Sequence, residues 1–233
     1  MLISPPADPA ARRRENAIWQ GAATSVVAKA VSAACLLAQV PVAVSHLGAE
    51  LFGLWMTLTS AISLMAFADF GIGAGVQNEA GTLLGRDRAA EVKATCANGV
   101  ALLGVVSFAL TSTMLVAWRV LPWENWLKLE EMTVRTEARQ GLLALVLLFG
   151  ATFPLTSLSR LAFGLQLGWL ANLWLAAINV LTLVAVLAAR GAQLGFTEFV
   201  VLSALPVLLG HLGLALQLFR RLGWSFRIRL AGT

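Results

Sequence analysis

Long apolar runs separated by short polar clusters make up most of the chain, with little of the strict alternation or narrow helical stripe of a soluble core. A membrane-crossing helix takes about 20 apolar residues. Runs of that length predict six crossings, over residues 19–45, 51–72, 97–118, 141–159, 170–189 and 197–219. The first is too long for a signal-peptide core and has no small-residue cleavage site, and Pro41 is placed to bend its far end. The second runs into Asp69-Phe70-Gly71-Ile72-Gly73-Ala74-Gly75, where glycine density disfavours a straight helix. The expected organisation is an all-α membrane protein: an N-terminal arm over 1–18, a six-helix lobe over 19–219 and a basic tail over 220–233.

Composition agrees with that reading. With 58% hydrophobic residues, 12% charged residues and a mean hydropathy of +0.79, the chain is neither a soluble enzyme nor a nucleic-acid binder, despite a net charge of +5. The positive excess sets orientation instead, because Lys and Arg gather on the cytoplasmic side. With the N-terminus cytoplasmic, eleven of the seventeen basic residues fall inside, from Arg12-Arg13-Arg14 through Arg86, Arg88, Lys93 and Arg160 to Arg220, Arg221, Arg227 and Arg229. Both termini are therefore expected inside. The outer loop 120–139 carries Trp123, Trp126, Leu127 and Leu129 beside Glu130 and Glu131, which suits a short helix lying in the interface. Cys35 and Cys96 have no metal-ligand spacing and are expected to be inert thiols.

Polar residues within the apolar runs are the informative ones. Lys29 stands about ten residues into the first crossing, roughly 15 Å deep. A central lysine costs about 3 kcal/mol on insertion scales, which about six leucine-class residues offset. Ser25, Lys29, Ser32 and Gln39 share one helical arc and make a polar stripe. Two readings stand: a buried lysine paired with a carboxylate for structure, or a cation in a wet cavity that attracts an anionic substrate. Asp69 lies near the inner interface, where Arg13 or Arg14 is its expected partner and the pair structural. Asn78, Arg160 and Gln166 fall with it at the inner mouth. Asn172, Asn179 and Thr182 share a face of the fifth crossing, and Ser203, Pro206, Gly210, Gly213 and Gln217 a face of the sixth. Both stripes fit either cavity lining or interhelical hydrogen bonds. His211 is expected to be packed rather than a proton relay.

Enzymatic readings find no support. There is no Gly-x-Ser nucleophile segment in a helix, no histidine base with a partner and no carboxylate cluster for a metal, so neither activity nor cofactor nor metal is expected. The glycine-rich segment after Asp69 has no preceding strand to make it a phosphate loop.

The order of signals resembles a known family. Asn16 through Lys29, Pro41, Leu47-Gly48-Ala49-Glu50-Leu51-Phe52-Gly53-Leu54-Trp55, Asp69-Phe70-Gly71-Ile72-Gly73, Gln77-Asn78 and Gly85-Arg86-Asp87 resemble the N-terminal region of the Wzx-like polysaccharide (O-antigen) flippases of the MOP superfamily. Phe163-Gly164-Leu165-Gln166-Leu167-Gly168-Trp169-Leu170-Ala171-Asn172 is similar to that family's turn between helices four and five. The resemblance implies one lobe of a transporter whose two lobes enclose a cavity. It implies polyprenyl-pyrophosphate-linked oligosaccharides as substrate, in lipopolysaccharide or other surface-polysaccharide biosynthesis at a bacterial inner membrane. It also implies a basic cavity, to which Lys29, with Ser25, Ser32, Gln39 and Asn179, is the candidate contribution. The second lobe is then expected from a partner or a second copy, with membrane lipid around both. A half-lobe without transport and a multidrug exporter of the same superfamily are the alternatives.

Overall fold

The computed structural model describes residues 9–65, 69–86, 88–121 and 132–223, and every regular element among them is helical. They are α1 (Pro9–Met65), α2 (Ile72–Gly85), α3 (Ala89–Val120), α4 (Met132–Gly164), α5 (Gly168–Gly191) and α6 (Phe196–Leu222). Five segments are long and apolar enough to cross a membrane: Trp19–Ser60, Ala90–Val120, Val134–Gly164, Gly168–Gly191 and Phe196–Leu222. The chain is an all-α, multi-pass membrane protein. The expected interfacial segment around Trp123 to Glu131, and the basic residues Arg227 and Arg229, lie outside the described residues.

The 57 residues of α1 would reach about 85 Å if straight, far beyond the roughly 30 Å of hydrocarbon. The helix does not run straight. Gly48 has φ 75° and ψ 171°, a left-handed conformation that glycine adopts without steric cost, and it divides α1 into two arms. The first arm runs parallel to α5. Thr24 meets Asn172, Ser32 meets Asn179 and His46 meets the Leu194 carbonyl, at sequence separations of 148, 147 and 148. A constant separation is what two parallel helices in fixed register give. The second arm turns back, packing Leu54 and Leu58 with Ala138, Leu145, Phe196 and Val200 of α4 and α6. Asp69 then reaches Arg160, close to the α4–α5 turn where the first arm began. The 42-residue candidate span is therefore divided between the two arms.

The stretch expected as a crossing over 51–72 is divided as well. α1 ends at Met65, Phe70 (φ 48°) and Gly71 (φ 80°) are both left-handed, and α2 starts afresh at Ile72. Two successive left-handed residues cannot continue a right-handed helix. α2 then lies along the end of α4, parallel to it, where a Cβ on Gly164 would strike the Gln77 carbonyl.

Two packed regions hold the lobe. Near the α4–α5 turn, Leu83, Cys96, Leu158, Leu161, Leu170 and Leu218 join α2, α3, α4, α5 and α6. At the other end, Phe199 stands beside Ala43, Val186 and Ala189, with its ring 5.7 Å from His46 and 5.3 Å from Trp55. It thus sits between the two arms of α1 just beyond their reversal. The start of α6 is fixed by Glu137, whose carboxylate accepts from the Phe196 amide (3.3 Å) and whose carbonyl accepts from Thr197 Oγ1 (3.2 Å). Apolar burial drives helix association little in a lipid solvent, so close packing of small residues must carry it. Gly210 admits Ile178, and Gly213 admits the Trp174 ring.

The backbone contact at Gly164 has no flexible side chain to yield. Gly164→Ala should therefore destabilise the protein by about 1–3 kcal/mol, while Gly53→Ala, which meets nothing within 4 Å, should leave the melting temperature unchanged in the same detergent. Equal melting of both variants would contradict the α2–α4 packing.

Candidate functional site

One face of α6 is exposed, and Leu202 and Ala204 at its edges pack into the two separate regions around Phe199 and around Val200. Val201, Leu209, Leu212 and Leu216 fall in the arc between these two on the helical wheel, and all four are exposed (36–58%). Together they make an exposed apolar face on α6.

Lys29 lies on the first arm of α1. It is exposed and has no hydrogen bond or ion pair among the described residues. Leu47 lies eighteen residues, or five turns, further along the same line of the helix. It packs both with the region of Leu54, Phe196 and Val200 and with that of Ala43, Val186, Ala189 and Phe199. Ser25 and Ser32 flank Lys29 and are half-buried, while Gln39 is buried at the α5 seam. Asn179 is brought to Ser32: its amide donates to Ser32 Oγ (3.0 Å) and to the Leu175 carbonyl (2.8 Å). Thus Lys29, Ser25, Ser32 and Asn179 gather on one flank of the α1–α5 seam. The opposite flank of the same seam holds a separate, apolar cleft of about 200 Å³ lined by Ala23, Thr24, Val27, Ala28, Asn172, Leu173 and Ala176.

The stripes on α5 and α6 serve packing in large part. Asn172 Nδ2 donates to the Gly21 carbonyl (3.2 Å) and lies 3.3 Å from Thr24 Oγ1. Trp174 Nε1 donates to Gln217 Oε1 (2.7 Å). Ser203, Pro206 and Gly210 are buried. His211 is half-buried with Nδ1 on the Val207 carbonyl (2.7 Å). His46, which the sequence places in a loop, closes the first arm instead.

At the α4–α5 end, Asp69 pairs with Arg160, Oδ2 lying 3.5 Å from Nε, while the side chains of Arg13 and Arg14, its expected partners, lie outside the described residues. Arg160 is within reach because α2 breaks from the second arm and settles along α4, which carries it. Asp69 Oδ1 also accepts from the Gly73 amide (2.7 Å), capping the first turn of α2. A Cβ on Gly73 would stand 2.5 Å from Arg160 Cδ, so a larger residue there would displace the arginine from Asp69. Asn78 and Gln166 are exposed and stand apart from this pair, Gln166 in a left-handed turn (φ 60°). Among the described residues no group of three or more His, Cys, Asp or Glu could hold a metal.

Of the twelve Asp and Glu residues, none falls in the middle of an apolar run, and Asp69 is already engaged by Arg160 and Gly73. The sequence therefore offers Lys29 no carboxylate at its own depth. Comparison with protein-family models, with curated proteins and with solved structures finds no match for the chain.

The Arg160 side chain is half in solvent, which weakens the ion pair, so the cap is the larger part of what Asp69 contributes. Asp69→Ala should cost about 1 kcal/mol of thermal stability. Asp69→Asn, which keeps an acceptor for Gly73, should cost less than half of that. Equal losses in both variants would assign the effect to the ion pair instead.

Proposed function

We propose that this chain is one lobe of a membrane carrier for polyprenyl-pyrophosphate-linked oligosaccharides, acting in cell-surface polysaccharide biosynthesis at a bacterial inner membrane with both termini cytoplasmic. The observation that carries the proposal is Lys29, an exposed cation on the first arm of α1 with no bonding partner among the described residues; in this reading Lys29 and the exposed leucine face of α6 line one groove. An unpaired lysine at this depth is stabilised by water or by an anion, and not by acyl chains. A phosphate-bearing lipid supplies both needs of the groove: apolar chain for the leucine floor and negative charge for the ammonium. Ser25 and the Ser32–Asn179 pair add hydroxyl and amide groups suited to sugar or phosphate oxygens. A second lobe, from a partner or a second copy, closes the groove in this reading. The resemblance of the first ninety residues to the Wzx-like flippases points the same way.

An ion-coupled multidrug exporter is the weaker reading. It would use a free interior carboxylate, and Asp69, the nearest to that description, is engaged by Arg160 and by the Gly73 amide.

Expression of the chain, singly and as a two-copy tandem, in a strain lacking its own lipid-linked-oligosaccharide flippase should restore surface polysaccharide. Lys29→Ala should abolish that rescue at unchanged membrane abundance, and Lys29→Arg should retain part of it. Failure of both wild-type forms would overturn the transport reading, favouring a half-lobe without transport. Full rescue by Lys29→Ala would remove that residue from it.

A further inference from the structure

Pro154 stands inside α4 and has no amide hydrogen, so the carbonyl one turn back, at Gly150, loses its helical donor. In hydrocarbon no water replaces it. The replacement comes from α3, where Ser107 Oγ donates to the Gly150 carbonyl at 2.6 Å. Ser107 is itself buried, at 3% exposure. One turn further along α3 stands Thr111. Its side chain lies against Gly150 so closely that a Cβ there would collide with Oγ1, Cγ2 and Cβ of the threonine. Thr111 Oγ1 is buried without a hydrogen-bond partner among the described residues. Most hydroxyls in these helices bond to the carbonyl three or four residues back, as those of Thr113, Thr152 and Thr156 do. Thr111 forgoes that bond and keeps its hydroxyl at the α3–α4 crossing, at the cost of an unmade one.

We propose that Ser107 and Thr111 are alternative donors to the Gly150 carbonyl, so that this crossing is a two-position joint at the proline of α4. In the position described here Ser107 holds the carbonyl and Thr111 waits. A shift of α3 along α4 toward the α4–α5 end, by up to one helical turn or about 6 Å, hands the carbonyl from one hydroxyl to the other. Gly150 lets the threonine pass because it presents no side chain, and the carbonyl is never left bare. Sliding of one packed element past another by a turn is an established way for bistable helix contacts to switch. The inference is independent of what the groove carries.

A double-mutant cycle in lipid nanodiscs tests it through melting temperature alone. Thr111→Val should not lower the melting temperature and should raise it slightly, since it removes a buried hydroxyl that is unbonded in the described position. Ser107→Ala should lower the melting temperature only slightly, because Thr111 takes the carbonyl over. The double variant should lose at least twice the sum of the single losses. In a Pro154→Ala background the restored amide supplies Gly150, and the excess loss should vanish. Additive losses, a Ser107→Ala variant that melts as low as the double or fails to fold, or an excess loss that persists with Pro154→Ala would each overturn the proposal.

Discussion

The reversal at Gly48 is the constraint on which the rest of the lobe depends. Left-handed backbone at a single residue divides one apolar stretch of 42 residues between two arms. The Phe199 ring, placed between His46 of one arm and Trp55 of the other, fixes how far apart they start. From that point the first arm is committed to α5 by a parallel seam of constant register, and the second to α4 and α6.

Polar groups in such a lobe have three distinct uses. Some mend the backbone, as Ser107 does for the carbonyl left by Pro154 and Asp69 for the first turn of α2. Others fix helix register, as Asn172 and Asn179 do between α5 and the first arm. Lys29 does neither, because no group near it makes a bond with it among the described residues. That difference separates a functional candidate from structural polarity more sharply than depth alone. A cation with no bonding partner among the described residues is the natural functional candidate.

Much of this architecture was legible in the sequence, because crossing a bilayer demands length and apolarity, and both can be counted. The polar stripe of Ser25, Lys29 and Ser32 was legible too, since helical periodicity places these residues on one arc. Pairings between distant helices were not. Nothing local to Asp69 announces Arg160, and a straight second helix would have carried it toward the N-terminal arginines. The left-handed pair Phe70-Gly71 redirected the chain, and only the glycine hinted at it. Thr111 was equally silent, as a threonine in an apolar helix ordinarily bonds its own backbone.

The central claim is that Lys29 faces a wet groove and not lipid. It is tested most directly by replacing Lys29 and, separately, Leu37 with cysteine in a background lacking Cys35 and Cys96, then measuring reaction with a charged, water-soluble thiol reagent in native membranes. Leu37 is 76% exposed and lies outside the seam with α5, away from the line of Lys29. The account predicts rapid modification at position 29 and none at 37. Equal protection of both positions would place Lys29 against lipid or protein and contradict it.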